Sequence, residues 1–257
     1  MDFSAKSAAD LYSDRSADGS WKVLCKTILC PAGKDVADIG CGGGIYTLAF
    51  AKLGAKSVTG IDNAVQYVER AKLLSVDTNN VRFQVGTATS TGLSDASIDL
   101  VFERALIHHL SEEEQELNIQ EAIRVLRKAG MLAIQDRSFE NVLDNDAKHW
   151  IRSTLFHCFP ELLDFERLRR PSEHGYLKML EKHSLHTLAP VKFSEVRKSY
   201  ASFSELEVEI MARKGKSILF ELDDDQLKHY CARLKEASLG RSLEEIDQWT
   251  VWRAEVH

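Results

Sequence analysis

A cluster of glycines, "DIGCGGG" at residues 38–44, follows the apolar run "KDVADIG" and precedes a segment of helical spacing. Glycine supplies positive φ and lets the backbone come close to a ligand, and a helix start beyond such a loop adds free N–H groups. The chain at this point is therefore a strand, a ligand-touching loop and a helix, and the question is which ligand the loop fits.

The same alternation continues downstream. Ile45, Leu48, Ala49 and Leu53 fall at helical spacing, with Gly54 as the stop. "KSVTGID" (56–62) reads as a second strand, and Ala64, Val68, Ala71 and Leu74 share one face of a helix. "VRFQVG" (81–86) and "SIDLVFER" (97–104) read as the third and fourth strands. Ile119, Ala122, Ile123 and Leu126 mark a helix closed by Gly130, and "MLAIQD" (131–136) is the fifth strand. Upstream, "WKVLCKTIL" (21–29) reads as a short helix ending at Pro31.

Short apolar strands alternating with helices predict an α/β, doubly wound, mostly parallel sheet covered on both faces. Ligands of such sheets bind outside the carboxyl ends of the strands. The residues at those ends are Asp38 to Gly44, Asp62, Gly86 to Ala88, Glu103 with Arg104, and Gln135 with Asp136. Past residue 140 the pattern changes. Residues 141–185 carry aromatics, charges and histidines at helical spacing, "PVKFSEVRKSY" (190–200) holds a sixth strand, 203–239 is helical, and "WTVWRAEV" (249–256) is a seventh strand. This divides the chain into an N-terminal lid segment (1–20), a ligand-binding core (21–140), a helical cap insertion (141–189) and a C-terminal part that rejoins the sheet (190–257).

Composition narrows the class. A net charge of −6 and a pI near 5.9 argue against nucleic acid as the main partner, because phosphate binding needs concentrated positive charge. The five cysteines are odd in number and form no CxxC pair, which argues against a disulfide framework or a structural metal and fits a reducing, cytoplasmic setting. The sequence shows neither an apolar signal segment nor a run long enough to span a membrane.

A nucleoside-triphosphate loop needs a GK[ST] ending, which is missing here. A dinucleotide loop reads G-x-G-x-x-G; Gly40 and Gly42 match, but Ile45 stands at the third glycine. Asp38 would also lie close to a pyrophosphate, where like charges repel, whereas it favours an ammonium. Asp62, at the end of the second strand, suits the two hydroxyls of a ribose. A ligand with a ribose and a cationic amino-acid tail but no phosphate satisfies both acids, and S-adenosylmethionine is that ligand.

With "VADIGCGGGIYTLAFA" (36–51), "VTGID" (58–62), "FQVGTATSTGLSDASIDLVFERALIHHL" (83–110) and "EAIRVLRKAGMLAIQD" (121–136), the chain resembles the class I S-adenosylmethionine-dependent methyltransferases, nearest the small-molecule group of the ubiquinone/menaquinone methyltransferases. The resemblance covers residues 34 to 137 and implies a Rossmann-like core. It implies that Asp38 and the backbone of Gly40, Cys41, Gly42, Gly43 and Gly44 hold the methionine part, that Asp62 binds the ribose and that Asn63 flanks the adenine. Thr87 and Ala88 fall at the adenine edge, where the family often carries Asp; a threonine hydroxyl accepts less strongly because it is uncharged. Glu103 and Arg104 fall near the methionine tail and the transferred methyl, and Tyr12 is a candidate lid residue.

Methyl transfer from a sulfonium is an in-line displacement in which the protein supplies orientation and a dry site. His108 and His109 are candidate bases, against the alternative that they support the start of the next helix. Asp136 is a candidate base or orienting group, against an ion pair with Arg137 or a helix cap. Trp150, Phe156, His157 and Phe159 are candidates for an apolar acceptor wall or for ordinary helix packing. Arg167, Arg169 and Arg170 either meet an anionic acceptor or form a solvated face with Glu161, Asp164 and Glu166. There is no NPPY-like motif after the fourth strand and no Pro-Cys pair, which favours a small-molecule acceptor over DNA or RNA. The competing readings are an S-adenosylmethionine-binding protein without transferase activity, a nicotinamide oxidoreductase, and an RNA-modifying methyltransferase.

Overall fold

Seven strands form one sheet in a computed structural model that describes residues 17–144 and 146–257. They are β1 (Asp35–Ile39), β2 (Ser57–Asp62), β3 (Val81–Val85), β4 (Ile98–Arg104), β5 (Leu126–Asp136), β6 (His186–Ser199) and β7 (Glu244–Glu255), in the spatial order β3-β2-β1-β4-β5-β7-β6. The first five run parallel, while β7 is antiparallel to both β5 and β6. The order reverses direction between β1 and β4, the crevice where open α/β sheets take their ligands. β1 is buried along its whole length and apolar but for its two aspartates, as a strand covered on both faces requires.

Among the described residues the α-helices are α1 (Gly19–Leu24), α2 (Ile45–Lys52), α3 (Val65–Leu74), α4 (Glu112–Val125), α5 (Phe139–Val142), α6 (Trp150–Cys158), α7 (Leu162–Arg169), α8 (Glu173–Lys182), α9 (Phe203–Met211) and α10 (Asp224–Ala237). On one sheet face Ile119, Ala122 and Val125 of α4 and Tyr176 and Leu180 of α8 pack on Ile39, Val101, Leu132 and Trp252. Tyr176 stacks on Trp252 at 3.9 Å between ring centroids. On the other face Trp21 of α1 and Phe50 of α2 meet Phe102 of β4 edge-on. Trp21 also donates to Gln135 Oε1 across 3.0 Å, which ties α1 to the end of β5.

A second apolar core lies outside the sheet. Trp150, Ile151, Leu155, Phe159 and Leu162 pack with Leu206, Ile210, Leu227, Tyr230 and Leu234. The cap is thus drawn from two stretches, α6–α7 and α9–α10, where the sequence pattern marks only the first. Tyr230 donates to the carbonyl of Ile151 at 2.7 Å and so bolts one stretch to the other. β5 and β7 also begin earlier than their apolar runs, because β5 has exposed residues near its start and the buried positions at the start of β7 are the acids Glu245 and Asp247, which no apolar alternation marks. The helix expected over 21–29 closes as α1 followed by a π-turn, Cys25–Leu29, and stops at Cys30 with φ of 49° before Pro31. Among the described residues no helix is long and apolar enough to cross a membrane.

Candidate active site

A cavity of about 510 Å³ opens at the carboxyl ends of β1, β2 and β4 and runs under the cap. Its first end is the glycine loop. Gly40, Gly42 and Gly44 have φ of 73°, 51° and 81°, so the turn needs residues without a Cβ penalty. At Gly44 a Cβ would also fall 2.6 Å from Phe83. The N–H groups of Gly40 and Cys41 donate to the carbonyl of Ile61, at 2.8 and 3.0 Å, which pins the loop to β2.

Two carboxylates flank this loop. Asp38 is buried and accepts from Thr47 Oγ1 at 2.5 Å. Burial pushes its carboxyl up to about 7, and nearby Asp62 adds to the rise. Asp62 accepts from the N–H groups of Gly42 (2.8 Å) and Ala64 (2.9 Å), and burial raises it too. Gly40, Cys41 and Gly42 line the cavity with both acids, as do Asn63, Thr87, Ala88 and Arg104. Gly44 stands just behind the wall as the N-cap of α2. Tyr12 lies outside the described residues.

Glu103 departs from its expected place. Successive strand residues face opposite sides of a sheet, so Glu103 and Arg104 cannot both face the cavity. Arg104 does. Glu103 turns under α4, is completely buried, and accepts from Asn118 Nδ2 with both oxygens at 3.0 Å. Burial pushes it up to about 7.

Asp136 likewise does not reach the cavity wall. It is completely buried behind His108, whose Nδ1 lies 2.9 and 3.0 Å from its two oxygens. Its further partners are Arg170 Nη1 at 3.0 Å and the N–H of Arg137 at 2.7 Å, so it serves Arg170 where the sequence suggested the Arg137 side chain. Burial alone would raise Asp136, but His108 and Arg170 together hold it well below the usual carboxylate range. His108 lines the cavity, and burial, with Arg170 beyond it, pushes its imidazole down to about 4. A neutral ring whose Nδ1–H donates to an ionised carboxylate leaves Nε2 as an acceptor. Its neighbour His109 lies at the mouth, 4.1 Å away between ring centroids.

The far end of the cavity is lined with cations, of which the sequence pattern did not single out Arg152, Arg197 and Lys216. Arg104 pairs with Glu195, Arg137 with Asp247, Arg169 with Glu166, Arg170 with Asp136, and Arg197 with Glu245. Arg152 and Lys216 complete the set. Trp249 lies between Arg104 and Arg137, whose guanidinium carbons are 4.2 and 4.6 Å from its ring centroid. Arg167 instead pairs with Asp164 on the solvated face. Trp150 and Phe159 are buried in the cap core, Phe156 packs against it and His157 is exposed, so none of the four builds an acceptor wall.

A family profile described as a methyltransferase domain matches residues 37–134. The uncharacterized methyltransferase YcgJ of Bacillus subtilis is 28% identical over 197 residues, covering 74% of this chain and 71% of YcgJ. A ubiquinone biosynthesis O-methyltransferase of Albidiferax ferrireducens is 29% identical over 170 residues, 62% of this chain and 64% of the relative. Several further curated relatives are matched over less than two thirds of their own length, down to 22%. The crystal structure of YcgJ superposes with a TM-score of 0.60 at 22% identity, over 91% of this chain and 97% of that one. Geranyl diphosphate C-methyltransferase of Streptomyces coelicolor, solved with Mg²⁺, geranyl diphosphate and S-adenosyl-L-homocysteine, superposes with a TM-score of 0.55 at 14% identity, over 92% and 77% of the two chains.

Proposed function

Because this chain carries a class I S-adenosylmethionine-dependent methyltransferase domain, we propose that it binds S-adenosylmethionine at the glycine loop and moves its methyl group to a small-molecule acceptor held under the cap. The observation that carries the reading is the pair of buried carboxylates on either side of the loop. Asp38 has no cation within hydrogen-bond reach among the described residues, and burial leaves it only partly ionised near neutral pH. An ammonium placed there restores its charge and completes its hydrogen bonding. Asp62 faces the same cavity from β2 with an oxygen on each of two backbone N–H groups, a fixed acceptor suited to a ribose diol. A phosphate beside both acids would be repelled.

The cofactor, once bound, supplies an electrophilic methyl group. The residues of this chain supply the rest. Asp38 and the N–H groups of the loop orient the amino-acid tail, Asp62 orients the ribose, and Asn63, Thr87 and Ala88 border the base. The cap closes the cavity from water, which keeps a nucleophile in line and undiluted. A volume of about 510 Å³ beneath helices suits a small molecule.

His108 Nε2 takes the proton of a hydroxyl acceptor, and Asp136 is the positioning residue that fixes the ring and its tautomer. An imidazole held near 4 is a weak base, yet it is sufficient here. As carbon bonds to a neutral oxygen, the attached proton becomes far more acidic than an imidazolium, and transfer runs downhill.

Calorimetry tests the reading. S-adenosylmethionine and S-adenosylhomocysteine bind the wild type, NAD does not, and Asp62→Ala weakens both tenfold or more. Binding of NAD alone, or of none of the three, overturns it.

A further inference from the structure

The far end of the cavity holds more positive charge than its own carboxylates balance. The five pairs given above use up Glu195, Asp247, Glu166, Asp136 and Glu245. Lys216 then shares Glu245 with Arg197, at 2.7 Å, and Arg152 comes no nearer than 3.9 Å to Asp247, which Arg137 already engages at 2.6 Å. Two cations therefore remain over at this end. Their side chains are 17% and 14% exposed, so bulk water and salt screen them poorly.

Donors are left over as well. Arg152 Nη1 and the Nε atoms of Arg104, Arg137 and Arg169 are buried and meet no acceptor among the described residues. A buried donor without a partner costs free energy, and a buried cation without a counter-charge costs more. The crowding is felt at Arg137, whose guanidinium is pushed down to about 9 by burial and by Arg152. A cluster built only to tie the cap to the sheet would need no such surplus, since one carboxylate for each cation suffices for that. Arg104 and Arg137 also lie against Trp249, which offers an apolar surface next to the charge.

We propose that this end of the cavity is an anion subsite, and that the acceptor carries a carboxylate or phosphate group met by Arg137, Arg152 and Lys216. Guanidinium groups suit both anions, because their flat fork matches two oxygens at once. The acceptor then lies with its anionic end under the cap and its reactive end toward His108 and the glycine loop. The proposal rests on the acceptor reading above and narrows it to anionic molecules.

Titration of the full chain with phenyl phosphate, benzoate and inorganic phosphate, beside neutral benzyl alcohol, tests it. Each is measured with and without saturating S-adenosylhomocysteine. At least one anion binds ten times more tightly than the alcohol, and the tighter of benzoate and phenyl phosphate tells carboxylate from phosphate. Arg152→Gln weakens that anion tenfold or more and leaves S-adenosylhomocysteine affinity within twofold. Lys216→Gln, on a separate segment, does the same. Equal binding of alcohol and anions, no anion binding to the wild type, or anion affinity unchanged in both variants overturns the subsite. If anions bind but S-adenosylhomocysteine does not, the subsite stands and the cofactor reading falls.

Discussion

Asp38 and Asp62 were visible in the sequence because their place, at the ends of strands beside a glycine loop, is a matter of spacing along the chain. Arg137, Arg152 and Lys216 were not, because each comes from a different element and only the closed fold makes them neighbours. Glu103 shows the limit of reasoning from strand ends: the pleat decides which of two adjacent residues faces the ligand. The protonation of Asp38 has a measurable consequence. Below about pH 7 its carboxyl carries a proton in the free protein, and an ammonium brought beside it expels that proton. Binding of S-adenosylhomocysteine at pH 6 thus releases close to one proton, and at pH 8.5 nearly none, as read from calorimetry in buffers of different ionisation heat. Asp38→Asn abolishes the difference. For His108 the depressed imidazole means that the ring is already neutral at pH 5. The rate therefore falls only as pH drops through about 4, with no step at the ordinary histidine value. His108→Gln and Asp136→Asn both lower kcat ten- to a thousandfold with little change in KM, as loss of proton transfer does.

Among the elements, β1 to β4 were legible because short apolar runs bounded by turn residues announce themselves. β5 and β7 were legible only in their apolar halves, since their starts carry charges that fit a loop equally well, exposed in β5 but buried as Glu245 and Asp247 in β7. The crowding around Phe83 left no trace in spacing. A Cβ at Gly60 would meet Phe83 at 2.5 Å, and one at Gly44 would meet it at 2.6 Å. The two glycines differ in backbone, as only Gly44 has positive φ. Gly60→Ala therefore costs about 1–3 kcal/mol from overpacking, and Phe83→Leu in the same chain restores part of it. Gly44→Ala costs a comparable amount but is rescued less by Phe83→Leu, because the left-handed backbone still penalises a side chain. Urea denaturation of the four variants separates steric from backbone strain; equal rescue at both sites would show that φ contributes nothing.

At the scale of the molecule, a net charge of −6 argued against nucleic acid as the main partner, but it concealed a chamber with surplus positive charge. Total charge averages over the surface, and the chamber lies beneath it. The cap was half legible: the helices after residue 140 were evident, but that α9 and α10 return to the same core was not, because no local pattern records which helices meet. The bolt between them predicts a stability effect without a binding effect. Tyr230→Phe removes its hydrogen bond to Ile151 and lowers unfolding free energy by about 1 kcal/mol, while S-adenosylhomocysteine affinity stays unchanged; altered affinity would mean that the cap core shapes the cofactor end. The pairing of β5 with β7, whose register joins Asp136 to Thr250, also bears on how the chain folds. Closing so long a loop is slow, and until it closes β5 is an open edge able to pair with another chain. The cap core forms within that loop and brings its ends together, so its early collapse speeds the closure. In a cell under heat stress, chains damaged in the cap would then be lost to aggregation before they are lost to unfolding.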